Sequence, residues 1–161
     1  AADWRGVAAQ ALPGGRTLIG EREGITVLDD TYNANPASMA AALDLLQAVR
    51  GSRRAVVVVG TMRELGAAAA DFHAALAERI LEQRPDVVAA VGDFAPAFGA
   101  LTGRYGDTRV LTGPAPADVA PGLKAELRPG DVALFKASRG VRLEQLFPLL
   151  WPSSSEGGEA H

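Results

Sequence analysis

Asp29-Asp30-Thr31-Tyr32-Asn33-Ala34-Asn35-Pro36 is the stretch on which the reading of this chain turns. The apolar run Ile25-Thr26-Val27-Leu28 leads into it and reads as a buried strand, and a helical pattern begins near Ser38. Open α/β sheets place their ligands where strand ends pass into helix starts. Asn35 is a good N-cap, and Pro36 suits the first helical position, where no N–H partner is required. The helix therefore opens beside two carboxylates, a phenol and two carboxamides, with a positive dipole end that favours an anion. Asn, Asp and Pro are also ordinary turn residues. Spacing alone leaves a ligand loop and a well-capped turn in balance.

Working outward, Met39, Leu43, Leu46 and Val49 share one side of the helix, and Gly51 is its natural stop. Ala55-Val56-Val57-Val58-Val59 and Val87-Val88-Ala89-Ala90-Val91 are continuous apolar runs, as expected of strands covered on both faces. Between them lie a loop, Gly60 to Gly66, and a helix from about Ala67 to Arg84 with Phe72, Leu76 and Ile80 as its apolar stripe. On that pattern His73 faces away from the stripe, as an exposed or supporting residue. A short helix with Phe94, Phe98 and Leu101 follows, then a weaker strand at Thr108 to Leu111. Val119, Leu123 and Leu127 mark a helix whose first turn is weakened by Pro121-Gly122. Val132-Ala133-Leu134-Phe135 is the last buried strand, and Leu143, Leu146, Phe147 and Leu150 mark a final helix.

Towards the N-terminus, Arg16 to Gly20 reads as a short strand that forms a hairpin with residues 24–30. Residues 1–12 read as the end of a preceding domain or linker, 13–151 as the folded domain, and 152–161 as a disordered tail. The first residue is Ala, which hints at a segment of a longer protein. Strands alternating with helices predict an α/β fold, a Rossmann-like three-layer sandwich. Its sheet is mostly parallel, with room for an antiparallel strand at the N-terminal edge.

Composition narrows the function. The 161 residues are 48% hydrophobic and 22% charged, an ordinary globular balance for one domain with a sizeable core. A net charge of −3 without a basic stripe argues against nucleic acid. The absence of Cys excludes disulfides, thiolate zinc and a cysteine nucleophile, and two His cannot build a multi-histidine metal site. No apolar run approaches the roughly 18 residues of a membrane span, and no signal peptide is visible, so a cytoplasmic monomer is expected. The chain carries no G-x-x-x-x-G-K-[ST], no G-x-G-x-x-G and no G-x-S-x-G. A nucleotide handled here needs its phosphates held by another domain.

Three loops then remain, 29–36, 60–66 and 136–140, each after a strand and so on one edge of a parallel sheet. Asp30 has two acceptor oxygens for vicinal ribose hydroxyls, and Asn33 and Asn35 both donate and accept. Lys136 and Arg139, with Ser138 between them, suit a carboxylate or phosphate held by charge-assisted bonds. Arg63 and Glu64 are candidates in the middle loop, or else a surface pair of little worth.

In this order, D-D-T-Y-N-A-N-P-A-S-M, G-T-M-R-E-L-G and L-F-K-A-S-R-G-V-R-L-E resemble the C-terminal domain of the Mur ligases over roughly residues 13–150. The resemblance implies the third domain of an ATP-dependent amide ligase of peptidoglycan synthesis, in particular of members that join D-Ala-D-Ala to UDP-N-acetylmuramoyl-tripeptide. It implies ATP and magnesium as cofactors, held mainly by a central domain that this chain lacks. It assigns Arg16, Asp30, Tyr32 and Asn33 to ATP, and Asn35, Arg63, Glu64, Lys136, Ser138 and Arg139 to the substrate side. No catalytic residue or metal ligand is assigned, and the chain alone is expected to be inactive. Thr61 replaces the family's usual Asp and Ala137 its usual Gly, which bears on the fine contacts of the acceptor. A free-standing binding module, or a domain of a related ligase such as a folylpolyglutamate synthase, are the alternatives.

Overall fold

A computed structural model describes residues 17–152 except 102, 104 and 105. The expectations placed on residues 1–16, including the entry segment and Arg16, and on the tail 153–161 lie outside the described residues. β1 (Leu18–Arg22) and β2 (Ile25–Asp30) form an antiparallel hairpin. Glu23 and Gly24 at its turn have φ of 53° and 84°, as a two-residue type I′ turn demands at both central positions. The first strand thus begins and ends about two residues later than the apolar pattern predicts.

α1 (Pro36–Arg50) follows, with Asn35 as N-cap. The Asn35 side chain accepts the Ser38 N–H at 2.8 Å, and Ser38 Oγ accepts the Asn35 N–H at 3.0 Å. This reciprocal box satisfies two of the helix's orphan donors and sets where it starts. Then come β3 (Ala55–Val59), a 3-10 turn at Gly66–Ala68, α2 (Ala69–Glu82), β4 (Val87–Val91), α3 (Phe94–Gly99) and β5 (Arg109–Gly113). α4 (Pro116–Glu126) runs straight through Pro121, and β6 (Val132–Lys136) includes the lysine. The expected final helix is present with its first turn tightened to 3-10 (Leu143–Gln145) ahead of α5 (Leu146–Leu150), and a separate 3-10 turn at Arg139–Val141 precedes it. Arg142, left-handed at φ 60°, separates the two turns.

The sheet order is β1-β2-β6-β3-β4-β5, parallel throughout except for the β1–β2 pair. Met39, Leu43 and Leu46 of α1, Leu76 and Ile80 of α2, and Phe94 and Phe98 of α3 pack on one face, against Leu28, Val57, Val88 and Leu134. Val119 and Leu123 of α4, with Leu146 and Leu150 of α5 and Trp151, pack on the other, against Val27, Val56, Val58 and Phe135. The central strands are therefore apolar on both sides, which is why their sequences do not alternate. Three layers result, as predicted. The strands β2, β6, β3 and β4 end together, with Asp30 opposite Lys136 and Lys136 opposite Val59.

Candidate functional site

The register that puts Asp30 beside Lys136 also makes them an ion pair. Lys136 Nζ lies 2.6 Å from Asp30 Oδ2 and donates to the Asn33 carbonyl at 2.9 Å. Thr17 Oγ1 donates to the same carboxylate oxygen at 3.0 Å. Lys136 is 1% exposed and Asp30 4%. A buried ammonium is tolerable when its hydrogens are met by a carboxylate and a carbonyl, as here. From sequence, Lys136 is offered with Arg139 to a carboxylate or phosphate; its ammonium instead meets Asp30 and the Asn33 carbonyl inside the protein. It closes the 31–35 loop against the sheet.

Asp29 points the other way and is bonded within its own turn. Its Oδ1 accepts from the Thr31 N–H at 3.3 Å and the Thr31 hydroxyl at 3.0 Å. Burial pushes its carboxyl above the usual carboxylate value, the Thr31 bonds oppose that, and the charges of Asp30 and Glu144 add to it.

Ser138 ties the three loops together. Its N–H donates to the Thr61 carbonyl at 3.1 Å, its Oγ accepts the Arg63 N–H at 2.8 Å, and its hydroxyl donates to the Ala34 carbonyl at 3.4 Å. Gly60 N–H continues the ladder to the Lys136 carbonyl at 3.0 Å. A Cβ on Gly60 would stand 2.9 Å from both the Ala137 Cβ and Val141 Cγ1. The close approach is therefore made at Gly60, while Ala137 keeps an ordinary negative φ and its methyl fills the gap. Thr61 Oγ1 accepts the Asp93 N–H at 2.8 Å. A carboxylate at this position offers the same acceptor with a charge added, so the departure from Asp keeps the bond and drops the charge. Gly92, at φ 65°, must lack a Cβ because one would collide with Thr61 Oγ1.

His73 overturns the stripe read from sequence. It is buried at 1% exposure, whereas Phe72 is 40% exposed. The inward set on α2 is His73, Leu76, Ala77 and Ile80.

Around this scaffold stands an exposed rim. The Arg139 guanidinium lies 4.7 Å above the centroid of the exposed Tyr32 ring, a cation–π contact. The Arg63 guanidinium lies against Gly140, where a Cβ would be 2.9 Å from its Cζ. Asn33 is exposed and its Oδ1 accepts the Ala34 N–H at 2.9 Å. Glu64 is exposed at φ 64°, a strained setting for a non-glycine residue.

The three loops are thus one cluster, containing Asp30, Tyr32, Asn33, Arg63, Lys136, Ser138 and Arg139. Asn35 is spent on the α1 cap, and Arg16 lies outside the described residues. Thr17, His73 and Gly140 belong to the cluster, yet no local pattern marks them, because each acts through a partner distant in sequence; Thr61, visible in the sequence as a departure from the family's Asp, joins them through Asp93. Among the described residues no group of three His, Cys, Asp or Glu converges. A groove of about 560 Å³ between α1 and α2, lined by Ala40, Phe72, Leu76, Arg79 and Glu82, holds none of the candidate residues. No helix among the described residues is long and apolar enough to cross a membrane.

Known proteins resemble this chain in sequence and in fold. The family profile described as Mur ligase, glutamate ligase domain, matches residues 15–139. The UDP-N-acetylmuramoyl-tripeptide–D-alanyl-D-alanine ligase of Bacillus subtilis is 34% identical over 131 residues, 80% of this chain and 28% of the relative. The ligase of the same name from Treponema pallidum is 38% identical over 156 residues, 91% of this chain and 32% of the relative. The crystal structure of the MurF ligase from Thermotoga maritima in complex with ADP superposes with a TM-score of 0.68 at 29% identity, covering 89% of this chain and 32% of that one. The chain therefore spans about a third of the length of these relatives.

Proposed function

The chain belongs to the Mur ligase C-terminal (glutamate ligase) domain family, and from that premise we propose that it is the acceptor-side domain of a ligase joining D-Ala-D-Ala to UDP-N-acetylmuramoyl-tripeptide. Residues 13–151 form that domain, and ATP and the UDP-linked tripeptide are held mainly by the rest of a longer protein. The observation that carries the reading is the single cluster made by the loops after β2, β3 and β6, rimmed by Tyr32, Arg63 and Arg139.

In the reaction, the γ-phosphoryl group of ATP passes to the tripeptide's terminal carboxylate. The dipeptide amine attacks that acyl phosphate, phosphate leaves, and an amide, ADP and phosphate remain. What this chain contributes is placement and the exclusion of water. Arg63 and Arg139 offer cationic donors to the dipeptide carboxylate, and Ser138 fixes the backbone that carries them. The exposed face of Tyr32 and the side chain of Asn33 border the nucleotide, with Asp30 behind them. Lys136 holds Asp30 in place from within the sheet. When the domain closes against its neighbours, these loops complete the site.

The reading is supported by the named relatives, two of which carry the D-alanyl-D-alanine ligase name, and by the ADP complex of the Thermotoga protein. In the intact protein that contains this chain, ADP release should require both UDP-N-acetylmuramoyl-tripeptide and D-Ala-D-Ala, and the chain alone should release none. Equal turnover with L-Ala-L-Ala, or ADP release by the pure chain, would refute it.

A further inference from the structure

The loop of residues 60–63 is held peptide by peptide from other elements. Lys136 and Ser138 take the Gly60 N–H, the Thr61 carbonyl and the Arg63 N–H. The Met62 N–H goes to a third residue, donating to His73 Nε2 at 2.9 Å across 11 residues of sequence. A backbone N–H can only donate, so Nε2 is the acceptor and the imidazole proton sits on Nδ1. There it donates to the Ala69 carbonyl at 2.8 Å, one helical turn back. Phe94 packs edge-on against the ring, centroids 4.6 Å apart and planes at 75°, which holds its plane.

We propose that His73 is a positioning residue for Arg63, holding the Met62 peptide through a neutral imidazole so that the Arg63 guanidinium is laid on Gly140. Two bonds bracket Met62: His73 grips the peptide before it and Ser138 the peptide after it. Only two soft dihedrals lie between rigid peptide planes, so the point from which Arg63 leaves the loop is set. Gly140 completes the seat, because a Cβ there would press on the guanidinium. A core residue of similar bulk would fill the space under the loop, yet leave the buried Met62 N–H without an acceptor. The consequence for ligation rests on the reading of Arg63 as part of the acceptor rim; the positioning itself does not.

Two variants test it. In His73→Gln the side-chain oxygen reaches about as far as Nε2 and can accept the Met62 N–H; in His73→Leu nothing can. Nitrogen-15 spectra of the chain should show His73 protonated on Nδ1. Met62 amide exchange should be about tenfold faster in His73→Leu than in wild type or His73→Gln. The heteronuclear NOE of the Arg63 Nε–H should fall only in His73→Leu. In the intact ligase, His73→Leu should raise the D-Ala-D-Ala KM about tenfold, leave the ATP KM within about twofold, and be rescued by Gln. Protonation on Nε2, or an Arg63 side chain equally ordered in His73→Leu, overturns the proposal. If Leu prevents folding, the tautomer and the Arg63 order in His73→Gln still decide. A disordered Arg63 with unchanged dipeptide KM upholds the positioning and overturns the acceptor reading of the rim.

Discussion

Replacing Lys136 by Met leaves the packing of the side-chain stem nearly intact and removes the charge together with its N–H donors. The Asp30 carboxylate, 4% exposed, is then left with the Thr17 hydroxyl as its remaining donor of the two described, and the Asn33 carbonyl loses its ammonium partner. Breaking a buried pair by deleting one member typically costs about 3–5 kcal/mol, because the surviving charge stays buried without compensation. Against a stability of roughly 5–15 kcal/mol for a domain, that is a large fraction. For a chain of this size it lowers the melting temperature by roughly 6–20 °C. Urea unfolding of the chain, followed by circular dichroism, measures it. The second arm is Asp30→Asn combined with Lys136→Met, which removes both charges and keeps an acceptor for Thr17. That double variant should recover most of the loss, since exchanging a buried pair for neutral groups is often nearly neutral. A single variant that loses less than about 1 kcal/mol, or a double variant no better than the single, would refute the reasoning.

Two further substitutions probe the loops. Asp29→Asn keeps the Oδ1 acceptor for Thr31 and removes a carboxyl that burial holds above the ordinary carboxylate value. A folded-state value raised above the unfolded one means the native form binds the extra proton, so the stability of wild type falls as pH rises through that window. The stability gained by Asn should therefore be smallest below pH 3.8 and grow toward neutral pH, and a gap that shrinks with rising pH would contradict the burial of Asp29. Thr61→Val removes the acceptor for the Asp93 N–H while keeping the shape. It should cost about 1 kcal/mol in urea unfolding, with Thr61→Ser close to wild type.

The strands were legible because apolar runs such as Ala55–Val59 and Val87–Val91 leave no other interpretation for a chain of alternating elements. The turn into α1 was legible too, since Asn35 and Pro36 act locally and their chemistry is complete within four residues. The order of strands was not legible: nothing near residues 132–136 says that β6 enters between β2 and β3. The status of Lys136 follows from that order, because its partner Asp30 is 106 residues away and becomes its neighbour only through the register. The choice between Phe72 and His73 failed for a related reason. Hydrophobicity favours turning the phenyl inward, but the neighbouring loop presents a backbone N–H that only an acceptor can satisfy. A polar side chain thus won a core position through a bond to another segment. The Arg139–Tyr32 contact and the seat of Arg63 on Gly140 were hidden likewise. The residue types of the cluster were visible in the sequence; their division into inner supports and outer rim was not.

The insertion of β6 between β2 and β3 also bears on how the chain comes to be folded. Without residues 132–136, the β1–β2 hairpin and the β3-β4-β5 block share no strand hydrogen bonds. Each has one flank waiting for the same late segment. During synthesis the earlier pieces emerge first, and closing the sheet must await the segment that bridges them, at the loop-closure cost of a long separation. The strand that joins the two blocks also delivers Lys136 and Ser138. The sheet's closing step and the assembly of the loop cluster are therefore one event, so a half-folded chain has no half-formed site to offer a ligand.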